Sequence, residues 1–197
     1  MTAHAAELAA AAARLVVEQG LEYASAKHKA RLALGGHGRL ELPSNERVED
    51  EVRAYLALFR ADSQPGELRA LRLLALRWML RLAEFRPHLG GAAWRGTATR
   101  LSNVLLDLYC DDPKAPEIAL INLGIAYDSA SAPARAHSEP SHVLRLAEPC
   151  PELGAPVTLH LALRDLDDLR GALKPDAQGR SWRGDVRALR RLLDVPL

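Results

Sequence analysis

The chain has 197 residues and a mass of 21.5 kDa, enough for one domain, or a core domain with a helical appendage, to bury a core without metal or disulfide staples. Its 26 basic residues stand against 25 acidic ones, which speaks against a dedicated nucleic-acid binder, and no run of about 18 uninterrupted apolar residues marks a membrane span. Cys110 and Cys150 lack CxxC spacing and Met1–Ala13 lacks a basic n-region, so neither a thiolate zinc site nor a secretory signal is read and a reducing cytoplasm is the expected compartment.

In chain order, residues 3–19 are rich in Ala and Leu and read as a helix stopped at Gly20. A second helix covers 21–34 and ends at Gly35-Gly36, and a loop runs to Pro43. Ser44 or Asn45 caps a third helix, in which Val48, Val52, Tyr55, Leu56 and Phe59 form one apolar stripe. Pro65 opens a fourth helix over roughly 65–84. Its face of Leu68, Leu71, Ala75, Trp78, Leu82 and Phe85 is widened by Leu73, Leu76 and Leu80.

The second half changes character after Pro87. Val104–Cys110 is a short apolar run closed by Asp111-Asp112-Pro113 and predicts a strand. Residues 114–123 predict a helix, Ile125–Asp128 a strand and Ser129–Pro140 a loop. His142–Ala147 and Val157–Leu163 predict two further strands joined by a Pro-containing turn. Asp165–Leu173 and Gly184–Asp194 predict helices around a loop. The fold expected is α+β: a helical N-terminal region, 1–86, then a small mixed β-sheet with flanking helices, 87–197.

Residues 89–112, LGGAAWRGTATRLSNVLLDLYCDD, carry the most information. A Gly-rich turn with Arg95, Gly96, Thr97 and Thr99 leads through Ser102 into the apolar strand. This resembles the signature of the minimal nucleotidyltransferases of the DNA polymerase β-like superfamily. That signature is a Gly-Ser pair, an Ala-x-Gly, a Thr/Pro-containing link, and Ser-Asp-h-Asp-h on a strand. Gly91 takes the place of its first glycine, Gly96 that of the later one, and Ser102 precedes the strand.

The resemblance implies a nucleotidyltransferase-like fold and a nucleotide held by Gly91, Arg95, Gly96, Thr97, Thr99, Arg100, Ser102 and Asn103. Backbone amides of such a turn approach phosphates, and arginine geometry suits phosphate. In the family, two aspartates at i and i+2 on one strand face and a third acid hold two divalent ions for phosphoryl transfer. Here Ala92 stands in the serine position, Asn103 in that of the first aspartate, Leu105 in that of the second, and the later strand offers His160. A leucine cannot ligate Mg²⁺ and an amide carries no charge. The expectation is a divergent member that binds a nucleotide or anion and has lost two-metal catalysis. An active enzyme would require Mg²⁺ and a nucleoside triphosphate, with Asp107 and Asp111 or Asp112 as replacement carboxylates.

Other chemistry finds little footing. No GxxxxGK[ST] loop is present, no HxH or HExxH occurs, and neither cysteine nor Ser102 has an evident acid–base partner. His137 and His142 flank the Ala/Ser/Pro loop as the nearest approach to a metal pair, though no metal site is expected. Two further classes stay open. The Leu/Trp face of residues 68–85 would suit a non-catalytic homodimer. Arg180, Arg183, Arg187, Arg190 and Arg191 with Trp182 would suit RNA, against the neutral charge balance.

Overall fold

The computed structural model describes residues 3–35, 42–131, 142–174 and 179–194. Two compact units divide the chain, Met1–Gly66 and Glu67–Leu197. The division falls twenty residues before the expected boundary at 86/87, because the fourth helix belongs to the core of the sheet.

The first unit holds helices α1 (Ala3–Gln19), α2 (Tyr23–Ala33) and α3 (Asn45–Phe59). Leu8, Ala12, Ala13 and Val17 of α1 meet Ala26 and Ala30 of α2 and Val48, Val52 and Leu56 of α3. The Ser44 hydroxyl caps α3 by accepting the Arg47 N–H at 3.2 Å. The α3 stripe is shorter than expected. Phe59 is 63% exposed, packed on the Tyr55 ring at 4.6 Å between centroids, and the Tyr55 hydroxyl donates to Glu18 at 2.6 Å.

The second unit opens with α4 (Gln64–Arg81), extended by a 3₁₀ turn at Ala83–Phe85. A five-stranded sheet follows, ordered β1 (His88–Gly90), β2 (Val104–Cys110), β5 (Ala155–Asp165), β4 (His142–Cys150), β3 (Asp128–Ser131). Only β2 and β5 run parallel; the other pairs are antiparallel. Between them lie α5 (Gly91–Arg95) and α6 (Ala115–Asn122), and α7 (Val186–Leu193) closes the unit.

Strand alternation gives the sheet two unlike faces. Leu106, Leu108, Leu159, Leu161 and Leu144 pack with Leu71, Leu74, Ala75, Trp78, Met79 and Leu82 of α4 in one core. Each buried leucine or methionine among them contributes about 1.5–3 kcal/mol through burial. The α4 face that would suit a homodimer is thus covered by the sheet of its own unit; Leu80, at 46% exposed, stands outside it. The opposite face carries Leu105, Asp107 and Tyr109 of β2, in register with His160, Ala162 and Arg164 of β5 and with Gly90 and His88 of β1.

Several expected elements shift. Residues 88–95, read as a turn, form β1 and α5, because a three-residue edge strand is too short to show a period. The strand expected at Ile125–Asp128 runs instead over Asp128–Ser131, so 129–131 are not loop; Asp, Ser and Ala disfavour strands and pair only because β4 offers a partner. Residues 132–141, with His137, lie outside the described segments. The helix expected at Asp165–Leu173 is a 3₁₀ run, Leu166–Gly171, started by Asp165, whose carboxylate accepts the Asp167 N–H at 2.8 Å.

Candidate functional site

The Gly-rich turn is built on two left-handed glycines. Gly91 (φ +63°) turns β1 into α5, and Gly96 (φ +83°) ends α5, conformations that cost other residues about 1–2 kcal/mol. Arg72 of α4 donates to the carbonyls of Ala93 at 2.9 Å and Trp94 at 3.2 Å, so one guanidinium satisfies two of the helix's last acceptors. Burial pulls the pKa of Arg72 below its ordinary value.

The link to β2 is tied by its own side chains. The Thr99 N–H donates to Ser102 Oγ at 3.0 Å, the Ser102 N–H to the Thr99 carbonyl at 2.8 Å and the Thr97 N–H to the Ala92 carbonyl at 3.0 Å. The Leu101 N–H donates to Thr99 Oγ1 at 3.4 Å and the Arg100 N–H to Glu67 at 2.9 Å. Thr97 and Thr99 are buried, and Thr97 Oγ1 has no hydrogen-bond partner among the described residues. Arg100 and Asn103 are exposed, Ser102 half-buried. The backbone amides of Thr97, Thr99, Arg100, Leu101 and Ser102, which a phosphate would use in such a turn, are therefore engaged within the protein.

Asp107 is fully buried on the polar sheet face. Its Oδ1 accepts Arg164 Nε at 2.5 Å and its Oδ2 accepts Arg183 Nε. Two guanidinium groups on one carboxylate leave it no free oxygen. Asp111 and Asp112 lie exposed beyond the end of β2, where Asp112 accepts the Lys114 N–H at 2.9 Å. Among the described residues no group of three or more His, Cys, Asp or Glu is gathered closely enough to hold a metal ion. The carboxylates present do not fit a two-metal centre, since the only buried one of the three already meets two fixed cations.

A segment absent from the sequence reading of this site completes it. Residues 179–184 lie across the Gly-rich turn as a strap. Gly184 exchanges two backbone hydrogen bonds with Leu89, each 2.9 Å. The Trp94 indole donates to the Ser181 carbonyl at 2.9 Å, and the Arg95 guanidinium lies 3.9 Å from the centroid of the Trp182 ring. A Cβ on Gly90 would stand 3.8 Å from the Trp182 carbonyl and from Arg183 Cγ, so the strap rests directly on Gly90. The C-terminal arginines therefore do not act alike: Arg183 is an ion-pair partner, Arg190 Nε is buried, and Arg187 and Arg191 are exposed.

Around Asp107 stand His88, 5% exposed, and Tyr109, with ring centroids 5.2 Å apart in an edge-to-face arrangement. Burial, and then the Asp107 charge, push the Tyr109 phenol up to about 12. Burial also raises both thiols above their ordinary range, Cys110 further through Asp112, Asp111 and Asp165, which keeps them protonated and poor nucleophiles. Sequence reasoning missed Arg164, His88 and Tyr109 in this cluster. Their common signal was alternation: each lies on the strand face that carries Asp107, legible only once the register is known. No protein-family model matches the chain, and no curated protein matches it in sequence.

Proposed function

We propose that this chain is a divergent nucleotidyltransferase-like protein that binds a nucleotide or related phosphate anion beside the Gly91–Asn103 turn and does not transfer it. The observation that carries the reading is the double arginine clasp on Asp107. Fixed guanidinium groups supply positive charge at the strand where the family's divalent ions would be held. Arg95, stacked on the half-open Trp182 ring, and exposed Arg100 add charge and an aromatic surface at the rim, the combination that suits a base and its phosphates. The role of each group is binding: Arg95 and Arg100 attract phosphate, Trp182 stacks, and Asp107 holds the strap through Arg183.

The test is a thermal-shift panel with ATP, GTP, CTP and UTP, each with Mg²⁺ or Mn²⁺ and with a chelator. A ligand at a hundred times its dissociation constant stabilises the folded state by about 2.7 kcal/mol. The expected result is a rise that persists in chelator. A rise that depends on metal would reject the loss of two-metal chemistry, and no rise with any nucleotide would reject nucleotide binding.

A further inference from the structure

A second feature borders the Asp107 cluster at His88. An open cleft of about 360 Å³ is lined by Ala83, Arg86, Pro87, His88, Leu169, Asp185, Val186 and Arg187. That volume lies within the range of small-molecule sites. Its walls are largely apolar, from Ala83, Pro87, Leu169 and Val186. Its polar groups are few and each has a definite state.

Arg86 sits in the left-handed region (φ +47°, ψ +55°), unfavourable for any residue with a Cβ and more so immediately before a proline. Its N–H donates to the Ala83 carbonyl at 3.1 Å. Its own carbonyl lies 2.8 Å from His88 Nδ1, and since a carbonyl only accepts, Nδ1 carries the proton. That makes Nδ1 the donor of a buried imidazole on the cleft wall. The exposed guanidinium groups of Arg86 and Arg187 make no ion pair among the described residues. Asp185 is the one carboxylate in the lining; it is committed as the N-cap of α7, accepting the Ala188 N–H at 2.8 Å.

Backbone strain held in place at a cleft mouth, where it displays a cation, is a pattern of ligand clamps. We infer that this cleft is a binding site for a small organic anion with an apolar body and one carboxylate or phosphate group. Arg86 and Arg187 take the anionic group, the four apolar side chains take the body, and the buried His88 ring forms part of the wall against which the body rests.

Titration calorimetry with benzoate and phenyl phosphate as probes, and benzamide as the neutral counterpart, tests this. The His88 ring resonances in NMR report the location. One or both anions should bind with benzamide about tenfold weaker, the loss expected for a charge-assisted hydrogen bond, and should shift the His88 signals. Comparison of the two anions identifies the preferred head group. Arg86→Gly should lose about tenfold in affinity while its Tm holds or rises by about 2 °C, because glycine relieves the left-handed strain. Arg187→Gln, an exposed change that leaves folding untouched, should lose a similar factor. Equal binding of the amide, unchanged affinity in both variants, or no binding at millimolar concentrations would each overturn the proposal.

Discussion

At the scale of single residues, Asp107 shows how a carboxylate changes meaning with its surroundings. On sequence it is the nearest replacement for a missing metal ligand. In the fold it pairs with two arginines, one of them only 11% exposed, and offsets one of their two positive charges. Removing one member of a buried ion cluster leaves uncompensated charge and costs about 3–5 kcal/mol. Asp107→Ala should therefore lose about that much unfolding free energy in a urea titration, leaving Arg164 and Arg183 facing each other. Arg183→Gln should lose less, about 1–2 kcal/mol, because Arg164 still answers the carboxylate and Arg183 is partly solvated. Equal losses would mean that the two arginines are not interchangeable partners. Tyr109 gives a pH test. Its folded phenol titrates at about 12, above the ordinary value near 10. The folded state thus holds this proton more tightly than the unfolded chain. The stabilisation is complete below about pH 10 and disappears as pH rises toward 12. The stability difference between the protein and Tyr109→Phe should shrink across that window; a constant difference would contradict the shift.

At the scale of elements, the strap explains why a glycine stands at 184. A Cβ there would overlap the Trp94 ring, and Gly184 also exchanges both backbone bonds with Leu89. Gly184→Ala should cost about 1–3 kcal/mol, as overpacking does, and should change the fluorescence of Trp94 and Trp182 by loosening the strap. An unchanged Tm and spectrum would show that the strap has room to move. The same elements mark the limits of reading by pattern. α1, α3, α4 and β2 repeat their apolar residues over several turns or pleats, and the sequence places them closely. β1 and α5 are too short to repeat anything, and β3 is made of poor strand formers recruited by β4. The elements that escape prediction are short ones, β1 and α5 at the Gly-rich turn and β3 at the opposite sheet edge, because tertiary partners rather than local preference hold them.

At the scale of the whole molecule, two separate cores are the organising fact. Leu8 belongs to the helical cluster and Leu106 to the sheet cluster, each at most 1% exposed. Leu→Ala at such sites costs about 2–5 kcal/mol. In calorimetry Leu8→Ala should lower one unfolding transition and Leu106→Ala another; a single transition lowered equally by both would show that the units unfold as one.

The amino-acid pattern alone determined the class of this chain: helices first, then a small mixed sheet, with β2 bounded to the residue and, among the described residues, no helix long and apolar enough to cross a membrane. It did so because long amphipathic periods and turn residues are local properties. It also showed that the positions matching the aspartates of the signature it resembles hold Asn103 and Leu105, which is legible without coordinates. Only the tertiary structure decided what Asp107 touches, that residues 179–184 rest on Gly90, and that Arg86 and Arg187 frame a cleft with His88. Those relations join residues separated by 57, 76 and about 100 positions. No local signal encodes them, because they follow from strand register and from where the chain returns after the sheet has formed.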